Sequence, residues 1–535
     1  MRPHIHYGPP EQGKSLGALP VVAHICRSLD VAGIVDRACP VRDVARLSHG
    51  AVIEALIANR LSSPAPLVRV ADWAAEWAVE EIFGIDPGAL NDDRLGRALD
   101  AVAPKLEGVI GSIGAGAIAA FGIDVARLHW DMTSISVFGD YEHPESGFIE
   151  PRYGHPKDRR PDLKQVQTGL AVSADGGIPI FHRAYSGGAA EVSQVVGAMV
   201  ALRKIAAERR FLMVGDSKLV SYSNLGAMID AGVTFVAPAS KRHVSAATLG
   251  AQDREKALVV DYVAERDSNK APEERGTWAV RDDSWALAGP KRSDPVLSLR
   301  RVFVYSSARA TAAKVARDKK LARATDDLTR LTNGLGGRHY PDAAAVRTRV
   351  DAIATKRRVK DYLVVSIGVD EANKPTFTWS YDQVALDAEA ASDGWYALLT
   401  NLDPAEAGPA EVLLRYKGQE VVERRYGDFK GPLAVAPMFL KNNARIQALI
   451  SVICLALLIF SLVERGLRAA IAPLVLLDGL WAGRPAKPTG RLIFGALANL
   501  RLIPATDTSP AIVPQPPPLQ AKILALLHVD PTQPR

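Results

Sequence analysis

The sequence predicts an α/β protein in which an all-α region precedes a core built from a three-strand meander followed by alternating helices and strands. Three observations carry this. Apolar residues recur at three- and four-residue spacing up to about Pro104, the period shortens to that of strands at Leu128, and short strand-like runs alternate with helical ones after Ala189. A chain of 535 residues is too long for one core and predicts about three or four domains.

Residues 1–15 begin Met1-Arg-Pro-His-Ile-His-Tyr-Gly-Pro-Pro10, without the apolar stretch of a secretory signal, and are expected to be a disordered start. Residues 16–125 read as a helical domain, with periodic runs over Leu16–Ala38, His49–Leu61 and Val68–Phe83. A further helix begins at Asn91-Asp-Asp, where Asn91 or Asp92 serves as N-cap. Such a domain suits DNA binding, dimerisation or plain packing equally, since no recognition-helix signature is present.

Residues 126–240 hold the first part of the core. Strands are expected over Leu128–Val137, Gln167–Ser173 and Ile178–Ala184, the last two joined by the turn Asp175-Gly-Gly177. A helix over Ala189–Glu208, a strand over Phe211–Val214, a helix over Leu219–Ala231 and a strand over Val233–Pro238 complete the order of a ribonuclease H-like, or retroviral-integrase-like, core. Residues 241–409 break that order with strand-like pieces at Thr277–Val280, Ser284–Ala288, Leu363–Val369 and Thr376–Trp379, and read as an inserted α+β subdomain. Residues 410–470 return to the core with a helix over Glu411–Lys430 and an apolar helix; residues 471–535 form short helices in a Pro-rich, linker-like tail.

The apolar run Ile446–Val463 is nearly long enough to span a bilayer, but the charged residues flanking it suit the central helix of a globular domain, the reading preferred here. The composition, 48% apolar and 23% charged, is that of ordinary globular protein. Cys26, Cys39 and Cys454 are too few and too scattered for a disulfide framework or a zinc site, so a reducing, cytoplasmic setting is expected. The net charge of +6 is unevenly spread. Residues 301–360 carry fifteen Lys and Arg against five Asp and Glu, which makes either a phosphate-contacting surface or a solvated pair of helices.

Three carboxylates stand out. Asp131 interrupts an otherwise self-burying strand, Asp216 follows another strand directly, and Glu423 lies on the 411–430 helix. An acid among residues that bury themselves is costly unless paired or bound to a cation, so two such strand positions suggest a shared metal site. On the Glu411–Lys430 helix, Tyr416, Gln419, Glu423 and Lys430 are spaced by three, four and seven residues and project from one face. His129 and His182, both in strands, read as packed side chains.

With these residues the chain resembles bacterial insertion-sequence transposases of the DDE class, in the branch whose third carboxylate lies in a Tyr-x2-Arg-x3-Glu-x6-Lys signature. Here the Arg position is Gln419. The resemblance also rests on His129-Trp-Asp-Met-Thr-Ser134, Lys157-Asp-Arg-Arg-Pro-Asp-Leu-Lys164, Gly215-Asp-Ser-Lys-Leu-Val220, Thr400-Asn401 and Leu90-Asn-Asp-Asp-Arg-Leu-Gly-Arg-Ala-Leu99, across roughly residues 15–490. It implies binding to terminal inverted repeats and metal-dependent cleavage and strand transfer to target DNA, by a homodimer in a synaptic complex, of a nucleoid-associated bacterial protein that stays off the membrane. Two Mg²⁺ ions, with Mn²⁺ as substitute, would be held by Asp131 bridging both, Asp216 on one and Glu423 on the other. Lys430 and Tyr416 would contact backbone phosphate near the scissile bond, Gln419 would weaken that clamp, and Lys157, Arg159 and Arg160 would meet DNA or form a surface loop. Trp278 and Trp285 are candidates for stacking on a flipped base or for the core. The alternative is a catalytically decayed, transposase-derived DNA-binding protein, for which Gln419 is the one feature that speaks.

Overall fold

The computed structural model describes residues 13–42, 44–142, 145–154, 156–206, 209–436 and 438–533. It divides into two compact units. The first comprises Met1–Gly215, Asp230–Val233 and Gly418–Arg535, and the second Asp216–Ile229 and Thr234–Lys417.

The first unit opens with β1 (Lys14–Ser15), placed in the expected disordered start but paired antiparallel with Leu502 and Arg501; the residues before Gly13 lie outside those described. Helices α1 (Leu19–Ser28) and α2 (Val31–Ala38) divide the single helical run expected here, because Asp30 sits in the left-handed region at φ 51°. Helix α3 (His49–Ser62) is capped by Ser48, whose Oγ accepts from the Ala51 amide at 3.1 Å. The short helices α4 (Val70–Glu76) and α5 (Val79–Phe83) follow. Helix α6 (Asp92–Val102) starts where the sequence predicts, with Asn91 Oδ1 accepting from the Arg94 amide at 2.8 Å, and α7 (Leu106–Phe121) ends at Gly122 in the left-handed conformation.

Strands β2 (Arg127–Val137), β3 (Lys164–Ser173) and β4 (Pro179–Ser186) form the expected antiparallel meander. Gly176 and Gly177 turn the β3–β4 connection at φ 76° and 64°, conformations open to glycine and costly for other residues. Helix α8 (Glu191–Ile205) leads to β5 (Leu212–Val214), which pairs parallel with β2 and sets His129 against Val214. Within this unit the strand order is β4-β3-β2-β5.

The second unit contains α9 (Tyr222–Asp230) to Ile229, β6 (Thr234–Pro238), α10 (Ala246–Gly250), β7 (Leu258–Val260), β8 (Trp278–Leu287) and β9 (Leu297–Ser306). The two strand-like pieces expected around residues 280 and 286 are one continuous strand, β8. After it come the long helices α11 (Ser307–Asn333) and α12 (Ala343–Arg357), strands β10 (Leu363–Val369) and β11 (Pro375–Tyr381), α13 (Gln383–Ala391), β12 (Trp395–Thr400) and α14 (Pro409–Lys417). The strand order here is β6-β12-β9-β8-β7. The β10–β11 hairpin stands apart and packs Phe377 against Leu328, Leu331, Val346, Val350 and Ile353 of α11 and α12.

The chain re-enters the first unit with α15 (Glu420–Lys430) and α16 (Asn443–Ile471). The hairpin β13 (Leu477–Trp481) and β14 (Arg484–Ala486), α17 (Gly490–Leu497), β15 (Arg501–Leu502) and α18 (Pro518–Leu526) follow. Helix α16 is long and apolar enough to cross a membrane, yet 94% of its most apolar stretch is buried inside the protein. A helix apolar on every side needs cover on every side. Helices α1, α3, α6, α7, α15, α17 and α18 and strand β4 supply it. The helical region 16–125 and the tail 471–535 lie in the same compact unit as α16, and residues 240 and 409 both lie inside the second unit.

Candidate active site

Strand β2 is buried along nearly its whole length, and within its interior Asp131 alone keeps partial exposure, with its side chain 18% accessible. Helix α15 lies against β2 and β3 and is fixed at two points. At its start, Gln419 Oε1 accepts from His129 Nδ1 at 3.1 Å while Gln419 Nε2 donates to Trp130 O at 3.4 Å. Further along, the Tyr426 hydroxyl lies 2.7 Å from Asp131 O and 3.1 Å from Thr168 O and shares its proton between them. Glu423 falls between these anchors, four residues after Gln419 and three before Tyr426, so it shares their helix face and is exposed.

The burial of His129 explains why this anchor is uncharged. Removal from water, opposed in part by the Gln419 hydrogen bond, lowers the imidazole pKa to about 4, so the neutral ring donates from Nδ1. Tyr426 is fully enclosed, and burial, with Asp131 adding to it, raises its phenol well above the usual range. It acts as a hydrogen-bonding strut.

Cations gather beside Asp131. Lys157 Nζ is 3.8 Å from Asp131 Oδ1 and donates to Met132 O, while the Lys157 amide donates to Ser134 Oγ at 2.9 Å. Ser136 Oγ in turn donates to Asp158 Oδ2 at 2.5 Å, tying the 157–158 turn to β2. The Lys430 ammonium is held below the usual lysine range, first by loss of water and also by Lys157, against the pull of Asp158 and Asp131. The residue pair Lys157 and Lys430 therefore shares one carboxylate-bearing neighbourhood. Arg160 is turned away into an ion pair with Asp162 at 2.6 Å, and Arg159 is an exposed turn residue at φ 61°.

Asp216 opens the second unit two residues beyond Val214, the last residue of β5. Its Oδ1 accepts from the Lys218 amide at 2.9 Å, and its carbonyl accepts from the Leu219 amide at 3.1 Å, so it shapes the turn that follows the strand. Among the described residues no group of three or more His, Cys, Asp and Glu side chains is close enough to hold a metal ion. Carboxylate donors suit a hard divalent cation, and Lys157 places a positive charge beside Asp131.

Three expectations are corrected. The Glu411–Lys430 helix is two helices, because Gly418 and Gln419 form a turn between α14 and α15; Tyr416 ends the first and does not continue the Gln419, Glu423 and Lys430 face. Gln419 is not positioned as a DNA contact, since both ends of its amide serve the fold. Trp278 is buried, with Lys417 Nζ 3.6 Å from its ring centre and Tyr262 edge-on at 5.6 Å, so no base can reach its face. Trp285 is half-buried, edge-on to His243 at 5.8 Å and flanked by Arg301 at 5.6 Å. Tyr426 and Asp158 were missed by sequence reasoning. Tyr426 could have been found from its i+3 spacing to Glu423, whereas nothing in the sequence ties Asp158 to Ser136.

A family profile described as a domain of unknown function (DUF4277) matches residues 11–107. The sequence matches no curated protein. Among solved structures the chain is similar to a piggyBac transposase synaptic complex with hairpin DNA, at 9% identity and a TM-score of 0.34 over 82% of this chain and 74% of that one. It is also similar to a Mos1 transposase paired-end complex with the left transposon end, at 11% identity and a TM-score of 0.15 over 36% and 60% of the two chains. Scores this low leave the activity to be inferred from the chain's own residues.

Proposed function

We propose that the chain is a DDE transposase with a ribonuclease H-like core, which binds the terminal inverted repeats of its insertion sequence, cleaves the DNA and joins the ends to a target. The observation that carries this reading is the docking of α15 on β2: Gln419 and Tyr426 pin the helix on either side of Glu423, against the strand that presents Asp131. The meander β2-β3-β4 with β5 parallel to β2 also supports it, because Asp216 follows β5 directly in the chain.

Asp131, Asp216 and Glu423 would hold two Mg²⁺ ions, or Mn²⁺ in their place; when bound, these supply Lewis-acid activation of the attacking oxygen and charge relief at the leaving one. The chain's own part is positioning. Lys157 and Lys430 neutralise phosphate oxygens that approach Asp131, and Tyr426 and Gln419 keep Glu423 directed at the same place. In each step the bond from the attacking oxygen to phosphorus forms in line as that to the leaving oxygen breaks. Two copies of the chain, each on one end, would act on bacterial DNA in the cytoplasm, and the buried surroundings of α16 support a place away from the membrane.

Cleavage of a labelled duplex carrying the element's own terminal repeat tests the reading. Nicking in Mg²⁺ or Mn²⁺ at the repeat boundary is expected from the wild type. Asp131→Asn, Asp216→Ala and Glu423→Gln should each lower it by about three orders of magnitude or more while DNA binding persists. Specific binding without cleavage by the wild type would identify a decayed DNA-binding protein instead.

A further inference from the structure

The motif that the proposed chemistry leaves unused is Leu90–Leu99, and its helix forms one wall of a cleft of about 630 Å³ in the N-terminal helices. The other wall is formed by residues 40–42 and 44–47, which precede α3. Arg42 and Arg46 come from the loop, Arg94 and Arg97 from α6, and among the described lining residues Asp86 is the one carboxylate. Its Oδ1 already accepts from the Gly88 amide at 2.9 Å.

Arg94 holds the two walls together. Its Nη2 donates to Leu47 O at 2.8 Å and its Nη1 to His49 Nδ1 at 3.3 Å. Burial first, and Arg94 next, lower the His49 pKa, which keeps the ring neutral and able to accept that bond. With Arg94 engaged in the frame, Arg42, Arg46 and Arg97 remain exposed along the cleft, Arg97 with an Asp93 partner at 2.5 Å. Small-molecule pockets are mostly apolar with a few polar groups. A wide cleft rimmed by guanidinium groups fits the repeated phosphates of a nucleic-acid backbone, whose oxygens match the planar donor fork of arginine.

We infer that this cleft is a second DNA-contacting site, which grips duplex backbone phosphates independently of sequence and separately from the carboxylate site. The inference rests on the transposase reading for its choice of DNA as partner. It also gives residues 11–107, the segment matched by a domain of unknown function, a physical task.

The test is fluorescence anisotropy of the full chain on a labelled duplex, with affinity followed against NaCl. Replacing Arg42 and Arg46 together by Ser should flatten the slope of log affinity against log salt by about 2, roughly one ion per lost phosphate contact, and weaken binding about tenfold or more near physiological salt. Arg42→Lys with Arg46→Lys should restore most of both. Lys487→Ser with Lys522→Ser removes two exposed charges elsewhere in the same unit and should leave the slope unchanged. An unchanged slope in the Ser variant, or an equal change in the Lys487 and Lys522 control, overturns the cleft while the transposase reading stands. No DNA binding by the wild type at any salt overturns both.

Discussion

Arg425 is fully buried, and its charge is met on every side. Nη2 donates to Gly176 O at 2.7 Å and to Glu464 Oε1 at 3.1 Å, Nε to Gly177 O at 2.8 Å, and Nη1 to Asp428 at 3.1 Å. Glu464 is also reached by Arg468 at 2.8 Å and by the Gly490 amide at 2.8 Å. Burial alone would raise the Glu464 pKa, but Arg425 and Arg468 outweigh it and hold the group below its ordinary value. Its stabilising effect is therefore complete above the ordinary carboxylate range and is lost as pH falls through the lowered value. Arg425→Met, which strands Glu464 without its main partner, should destabilise the protein by about 3–5 kcal/mol in denaturant titrations. Adding Glu464→Gln should recover part of that loss; no recovery would mean that Arg425 acts through its glycine carbonyls alone.

His129 and His182 set a second pH dependence. Burial holds their pKa values at about 4 and about 3, so both rings are neutral in the fold and take up protons in the unfolded chain below about pH 6.5. Stability should accordingly be full above pH 6.5 and decline as pH falls towards 4. The denaturation midpoint should be lower at pH 5 than at pH 7.5, and His182→Phe should narrow the gap; an equal gap in the variant would assign the loss to other groups.

At the scale of elements, the three-strand meander and its glycine turn were legible because short apolar strand-like runs and the Asp-Gly-Gly turn between two of them are local signals. The apolar helix was legible as a helix, but its charged flanks suit a membrane span equally well, and the elements packed round it are what make it a core helix. What escaped was decided by neighbours distant in sequence. The spacing of Tyr416, Gln419, Glu423 and Lys430 fits one unbroken helix, and only the turn at Gly418 shows that the first of them ends another. The basic excess of residues 301–360 also reads differently in three dimensions. Arg317 pairs with Asp393 at 2.6 Å, Arg357 with Asp327 at 2.8 Å and Arg301 with Asp283 at 2.5 Å, so part of that charge holds the second unit together. Arg309, Lys319, Arg323 and Arg330 remain as an exposed stripe on one side of α11. Removing Lys319 and Arg323 should weaken binding to unrelated duplexes about equally, measured by anisotropy at fixed salt, as expected for phosphate contacts. A loss confined to the terminal repeat would instead point to base contacts.

At the scale of the whole molecule, the second unit is inserted into the first between Gly215 and Gly418, apart from the short return at residues 230–233. Both junctions adjoin candidate residues, Asp216 on one side and Gln419 on the other. The first unit is consequently closed by partners far apart along the chain. Asp100 and Arg445 are 345 residues apart, Arg60 and Ala434 374, and Ser15 and Arg501 486. A chain ending at residue 440 should therefore lack a folded first unit, visible as loss of cooperative unfolding and aggregation on expression. A cooperative transition in that truncated chain would show that the N-terminal helices have a core of their own.

The burial of α16 also has a consequence in time. At bacterial or eukaryotic rates of synthesis, the stretch between α6 and α16 takes roughly 20 to 70 s to make. Until then α1, α3, α6 and α7, which will enclose one part of α16, emerge from the ribosome with nothing to enclose, and they present apolar faces to the cell for most of the chain's manufacture. Each newly made copy therefore keeps those faces uncovered until the last fifth of the chain appears, and a gene copy interrupted before that point should yield material for proteolysis rather than a folded first unit.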